Sequence, residues 1–347
     1  MIPHSKPTLS DRDIEAVVNI LRSGMLAEGS LCAEFEKEFA AYLDAAGAVA
    51  VSTGTLAIQL ALLALGLGPG DKVLMPTFMS RAPLDACFAI GCQPVPVDSD
   101  LDYNMNPELL APLAKDAKAI IAPHILGITT DIRAIREFGV PVIEDCAHAI
   151  GGTFQGQRLG TFGDITIVSF HATKVMTTGE GGIVSSCRTD IVDKIRELKL
   201  NDNGEFGGRY LYPMTDMQAA LGMSQLKQLD SFIEKRRQVA DRYFSELKDV
   251  NCRLPFDLQN KSIFYRFPIQ SDFQAEELIE RFAAYGIHVR RPVCILLHHL
   301  LQRDASEYPI AEGLVEKTIS LPIYPALRSE EMERIVEVTR KIFGIVE

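Results

Sequence analysis

Apolar positions along the chain change their period several times, and each change marks an element. Ile14, Val17, Val18 and Leu21 recur at helical spacing behind Ser10 and Asp13, whose three-residue offset is that of a capping box. Phe35, Phe39, Tyr42 and Leu43 predict a second amphipathic helix. From residue 47 the pattern alternates. Short apolar runs at 47–51, 72–75, 94–97, 118–122 and 140–144 predict strands, and the stretches at 55–65, 82–90, 107–113 and 132–138 between them predict helices. Strands separated in this way imply a mostly parallel sheet with both faces covered by helices. From residue 165 the chain becomes strand-rich, with a further strand at 183–186. A long helical segment over 216–247 carries Leu221, Met223, Leu226, Leu229, Ile233, Val239 and Phe244. After it come a strand at 264–269, a helix at 275–285, a strand at 287–289 and a last helix at 330–343. The expected organisation is α/β throughout: a large domain over 1–230 and a small C-terminal α/β domain over 231–347, with the division inside the long helix.

Length and composition narrow the class. A chain of 347 residues is too long for one ordinary core. Hydrophobic residues at 47% and charged residues at 23% are the mix of a soluble globular protein. A net charge of -11 argues against nucleic acid as a partner, since such binding rests on neutralising phosphates, although a local pocket can still be basic. The N-terminal residues have no run of signal-peptide type, and the apolar stretch at 56–67 is broken by Gln59 and Gly66, so no membrane span is expected. Seven scattered cysteines without a C-x-x-C pair suggest reduced thiols and a cytoplasmic protein. The adjacent His298 and His299 are the one close pair of metal-ligand type. In a leucine-rich stretch they read as packing or surface residues, and no metal is expected.

Three runs carry candidate chemistry. In VSTGTLA at 51–57 a strand ends, Gly54 allows a tight turn, and a helix starts near Thr55. Free N–H groups at a helix start favour an anion, though an ordinary turn capped by Ser52 or Thr53 has the same residues. In VPVIED at 140–145 a buried strand ends on Asp145, where ligands sit in open α/β sheets, and His148 follows. A capping aspartate and a core histidine are the plain alternatives. In ITIVSFHATK at 165–174 a strand ends at Ser169 and Lys174 follows, before the glycine-rich TTGEGG at 177–182. A loop lysine and a strand-end acid are what pyridoxal 5'-phosphate needs: the lysine condenses with the aldehyde, and the acid pairs with the pyridinium nitrogen. A solvated lysine beside a glycine turn is the alternative.

Together these runs resemble the sugar aminotransferases of the DegT/DnrJ/StrS type, which have the type I pyridoxal-phosphate fold. The resemblance spans nearly the whole chain. It takes in Ser23, Gly24 and Gly29, Glu34-Phe35-Glu36, GTLA at 54–57, GPGD at 68–71, PHILG at 123–127, IED at 143–145, and Ser169-Phe170 with Lys174. GEGG at 179–182, QAA at 218–220, Gln225-Leu226 and LPIYP at 321–325 also fit. It implies phosphate contacts from Gly54, Thr55, Leu56 and Ser169, a pyridine contact from Asp145, a ring contact from His148, and the covalent link at Lys174. It further implies a homodimer with active sites at the interface, glutamate or glutamine as amino donor, and a keto-sugar attached to a nucleotide as acceptor.

Three departures bear on that expectation. The family's ring-stacking aromatic corresponds to Ser80, two residues after Phe78, which takes that role only if the loop is shifted. The Asn-x-Arg element that would touch the partner subunit's phosphate corresponds to a run at Leu211, and the tyrosine of the family's His-x-Tyr-Gly run is Leu126. These changes keep open a lyase or racemase reaction on the same cofactor, and a non-catalytic ligand-binding relative. Arg81, Arg209, Arg290 and Arg291 are candidate anion contacts, each of which could equally be a surface charge.

Overall fold

The computed structural model describes residues 1–200 and 212–345, so Arg209 and Leu211 lie outside the described residues. Its centre is a seven-stranded sheet. In chain order the strands are β1 (Gly47–Val51), β2 (Lys72–Pro76), β3 (Gln93–Val97), β4 (Ala117–Pro123) and β5 (Val142–Asp145). A small hairpin of β6 (Thr153–Phe154) and β7 (Gln157–Arg158) comes next, then β8 (Ile165–Ser169) and β9 (Gly182–Ser186). The spatial order is β1-β9-β8-β5-β4-β2-β3. Neighbours from β8 to β3 pair in parallel, and β9 runs against both β8 and β1. The large domain therefore has the expected mostly parallel sheet, with a single reversed strand.

Residues of successive strands divide between two cores with period two. Val49, Val51, Val73, Met75, Ile121, Ile143, Ile167 and Val184 face one side, with helices Gly54–Ala64 and Thr189–Leu200 over them. Ala48, Ala50, Leu74, Ile120, Val142, Val168 and Ile183 face the other, under Phe35, Phe39, Ile132 and Ile135. Burial on both faces explains why the strands are apolar almost throughout.

The capping box at Ser10 forms as expected. The Asp13 N–H donates to Ser10 Oγ at 3.4 Å, and the Asp13 carboxylate accepts from the Ser10 N–H at 2.7 Å. The same buried carboxylate accepts from Gln225 Nε2 and Gln228 Nε2, each at 3.0 Å, which ties helix Asp11–Ser23 to the C-terminal half.

Two elements differ from the sequence reading. The helix expected over 216–247 is two helices, Asp216–Leu226 and Leu229–Glu246, separated at Lys227 and Gln228. Gln228 turns its amide onto Asp13 and onto the Ser224 carbonyl, which fixes the break. The strand expected over 264–269 is β10 (Phe267–Gln270), because Phe264 has a φ of 53°, left-handed backbone that a strand cannot contain. Residues 287–289 form no strand: Ile287 makes an isolated bridge to Ile2, and Arg290 one to Ser320.

Helix Leu229–Glu246 gives Leu229, Phe232 and Ile233 to one core of the sheet, and Ala240, Tyr243 and Phe244 to a separate core. That separate core lies between β10, its antiparallel partner β11 (Thr318–Leu321), and helices Ala275–Ala284 and Ser329–Phe343. The intervening segment returns to the sheet, where Val293, Leu296, Leu297, Tyr308 and Ala311 join its first core.

Glu144, in β5, holds the sheet to the loop that follows the hairpin. Its buried carboxylate accepts N–H bonds from Gly160 at 2.7 Å and from Phe162 and Gly163 at 2.8 Å, and it meets His124 Nε2 at 3.0 Å. Burial alone would raise its pKa, but His124 and these donors outweigh burial and hold it below the ordinary carboxylate range. A depressed folded-state pKa contributes stability that is present above the ordinary carboxylate range and is lost as pH falls through the lowered value. Glu144→Gln is expected to cost about 3 kcal/mol by urea unfolding at neutral pH, because buried donors lose a charged acceptor. The variant should also lose part of the wild type's acid-dependent fall in stability.

Candidate active site

The carboxyl ends of β1, β5 and β8 open onto a cavity of about 280 Å³, lined by Thr53, Gly54, Thr55, Ser80, Asp145, Ser169, His171, Thr173, Lys174 and Glu180. Ligands in open α/β sheets bind at this edge.

Helix Gly54–Ala64 begins in the cavity wall. Thr53 is its N-cap, and its Oγ1 accepts the Leu56 N–H at 3.1 Å. Leu56 is buried and its N–H is spent, so it has no donor to offer a phosphate. The N–H groups of Gly54 and Thr55 lie in the first turn and have no acceptor within the helix. The role of Gly54 also differs from the sequence reading. Its backbone is not left-handed. A Cβ there would sit 2.7 Å from Ser169 Cβ, and one on Gly182 would sit 2.5 Å from the Thr53 carbonyl oxygen. Glycine is needed because the helix start presses onto β8 and β9, which brings Ser169 Oγ beside the free N–H groups.

Asp145 is buried at the end of β5, and its Oδ1 accepts the Ala147 N–H at 2.9 Å. Burial pushes its pKa above the ordinary value, against the pull of that N–H and of the nearby Lys174 and His124. A carboxylate so short of donors is suited to a cationic N–H, such as that of a pyridinium ring.

Lys174 stands in a loop pinned at both ends. The Phe170 N–H donates to the Gly181 carbonyl at 2.9 Å, and the Phe170 carbonyl accepts from Thr178 N–H at 3.0 Å and Thr177 Oγ1 at 2.9 Å. The left-handed Gly179 closes the turn. Lys174 Nζ lies 5.4 Å from the centre of the Tyr265 ring.

His148 does not line the cavity. Its ring stacks on Tyr265, with centroids 4.3 Å apart and planes at 18°, and burial, then Lys174 and Arg266, push its pKa well below the ordinary value. Tyr265 and Arg266 were missed in the sequence because their run reads as the start of a strand. The Tyr-Arg pair interrupting that apolar run was the available signal. The phenol of Tyr265 is buried. Burial would raise its pKa, but Lys174 and Arg266 bring it below the ordinary value. The segment rests on the loop at 124–128: Arg266 N–H donates to the Leu126 carbonyl at 3.2 Å, and a Cβ on Gly127 would sit 2.9 Å from the Tyr265 nitrogen. Leu126 itself is buried.

Ser80 faces the cavity where an aromatic was implied, and Phe78 is buried in the core against Tyr103, with centroids 5.5 Å apart, so it cannot replace that ring. Arg81 pairs with Asp85 at 2.8 Å on the surface, Arg291 pairs with Glu276, and Arg290 is exposed. His298 is buried, with Nδ1 2.7 Å from Thr77 Oγ1, Nε2 2.8 Å from Glu312, and its ring stacked on Tyr308. The half-exposed His299 meets the same carboxylate.

An α/β sheet with helix-start N–H donors, a buried acid and a lysine at its carboxyl edge is the arrangement that a pyridoxal-type cofactor requires. The profile of the DegT/DnrJ/EryC1/StrS aminotransferase family matches residues 7–340, and the chain belongs to that family. It is 33% identical to the GDP-perosamine synthase of Escherichia coli O157:H7, over 99% of each chain. It is 31% identical to the spore coat polysaccharide biosynthesis protein SpsC of Bacillus subtilis (strain 168), over 98% of this chain and 97% of that protein. Spr1654 of Streptococcus pneumoniae, described as a sugar aminotransferase and solved in its PLP-form, superposes with a TM-score of 0.90 at 28% identity, over 98% of this chain and 99% of that one.

The cradle makes one expectation quantitative. Gly54→Ala forces the helix start away from Ser169, an overpacking that costs about 1–3 kcal/mol. Titration of the apoenzyme with pyridoxal phosphate should show affinity reduced about ten- to a hundredfold.

Proposed function

We propose that this aminotransferase moves an amino group from glutamate or glutamine to a keto-sugar carried on a nucleotide. Lys174 in the same cavity as a buried Asp145 and the helix-start donors carries the reading. The kinship with GDP-perosamine synthase supports a nucleotide-linked sugar as acceptor.

Pyridoxal 5'-phosphate, when bound, supplies an electron sink for the substrate carbanion. The Gly54 and Thr55 N–H groups and Ser169 Oγ would hold its phosphate. Asp145 would face the pyridine nitrogen and favour its protonated form. Lys174 Nζ would anchor the cofactor and serve as the base that moves the proton at the substrate Cα in both half-reactions. Tyr265 lies against Lys174 and orients His148 by stacking.

We place a large domain over 1–230 and a small one over 231–347; the separate core that helix Leu229–Glu246 enters at Ala240 supports the division, while Val293, Leu296, Leu297, Tyr308 and Ala311 pack back on the sheet. We take the active form to be a homodimer. Ile14, Leu21, Met25 and Leu26 leave apolar surface exposed along and just after the first helix, which a second copy would cover. Among the described residues no helix is long and apolar enough to cross a membrane, and the cysteines are unpaired, in keeping with a reducing cytoplasm.

Lys174→Ala is expected to lower amino transfer by about 10²–10⁴-fold or more, and to abolish the yellow absorbance band of the loaded wild type. In the wild type, glutamate or glutamine should bleach that band. Undiminished transfer by the alanine variant would overturn the assignment.

A further inference from the structure

Arg266 is a buried cation near the site with no counter-ion among the described residues. It is nine-tenths buried. Its Nη2 donates to the Tyr265 hydroxyl at 3.0 Å, and its guanidinium lies 4.3 Å from the centre of the Tyr265 ring. Its Nη1 is buried with no partner, and no carboxylate among the described residues forms an ion pair with it. The charges that bear on it are the phenol of Tyr265 and a second cation, Arg290.

His4 adds to the imbalance. Its ring is buried, and Nε2 has no partner. Burial, then the charges of Arg266, Arg290 and His288, keep it neutral well below its ordinary range. Arg236, buried close by, is better supplied: its Nη1 reaches the carbonyls of Phe264, Tyr265 and Ile323, although its Nε has no partner. A buried guanidinium without a counter-ion is costly to a protein standing alone, and a planar fork with a free N–H is the geometry that binds an oxyanion.

Building on the aminotransferase reading, we propose that Arg266, with His4 beside it, seats a carboxylate of the amino donor. The Arg266 guanidinium and Lys174 Nζ both approach the Tyr265 ring, which puts the guanidinium in the neighbourhood of the reacting nitrogen. The donor's α-carboxylate is bonded directly to the reacting Cα. The acceptor's diphosphate offers the same oxyanion chemistry, but it is separated from its reacting carbon by a sugar ring.

The test compares the thermal unfolding of wild-type, Arg266→Met and His4→Asn holoenzymes, alone and with glutarate or guanosine diphosphate. Glutarate should raise the wild-type midpoint, do so less for His4→Asn, and leave Arg266→Met unmoved. Arg266→Met without ligand should be no less stable than wild type, because it removes an unpaired buried cation. Its KM for glutamate in the first half-reaction should rise at least tenfold, with the absorbance of the bound cofactor unchanged. Failure of Arg266→Met to fold, or a lower midpoint without ligand, would overturn the proposal by showing that the cation is already satisfied within the protein or by a second copy. Equal stabilisation of all three proteins by glutarate would also sink it. Loss of the diphosphate response alone would reassign the seat to the acceptor. If neither glutamate nor glutamine changes the wild-type spectrum, the aminotransfer reading fails, and the dependence of the glutarate response on Arg266 is still read independently.

Discussion

Two neighbouring carboxylates at the end of β5 meet opposite fates, and the site depends on the difference. Successive strand residues point to opposite faces. Glu144 points to the side where three backbone N–H groups and His124 surround it, and these hold it ionised inside the core. Asp145 points into the cavity with one backbone donor, and burial pushes its pKa up. Were both acids satisfied by the protein, the strand end would be a structural clamp alone. Were neither, two buried charges would oppose folding. The clamp at Glu144 fixes the strand end so that the deficit at Asp145 is aimed at one place.

Much of this was legible in the sequence, for local reasons. Strand type and helix type follow from apolar period, and the sheet's two-sided burial follows from their alternation. Asp145, Ser169 and Lys174 sit at or just beyond strand ends that their own neighbours define. The failures are long-range. The break at Lys227 and Gln228 depends on Asp13, at the other end of the chain, and the delayed start of β10 depends on a left-handed Phe264 lying against the loop at 124–128. Gly54 looked like a turn glycine, but its necessity comes from Ser169, which no local pattern reveals.

The same distinction explains the departures at the site. Ser80 faces the cavity and Phe78 packs in the core, so the loop is not shifted and the expected aromatic is absent from that wall. An aromatic ring does reach Lys174, but it is Tyr265, from beyond the long helices, and it brings His148 and Arg266 with it. A ring contact was expected from His148 acting alone. In the fold His148 belongs to a stack whose other members are far away in sequence, so its position is set by Tyr265 as much as by its own loop.

Charge explains why such a stack would gather cations. The chain carries a net charge of -11, and its surface repels acidic donors and nucleotide-linked sugars alike. Attraction must then be local. Lys174, Arg266 and Arg236 lie close enough to Tyr265 to act on its phenol, and burial shields the two arginines from salt and from the acidic exterior. A phenol among three cations tolerates them better than an aliphatic side chain would, because its ring face and its oxygen are both negative. Tyr265 therefore tolerates the Arg266 charge beside it without an ion-paired carboxylate among the described residues.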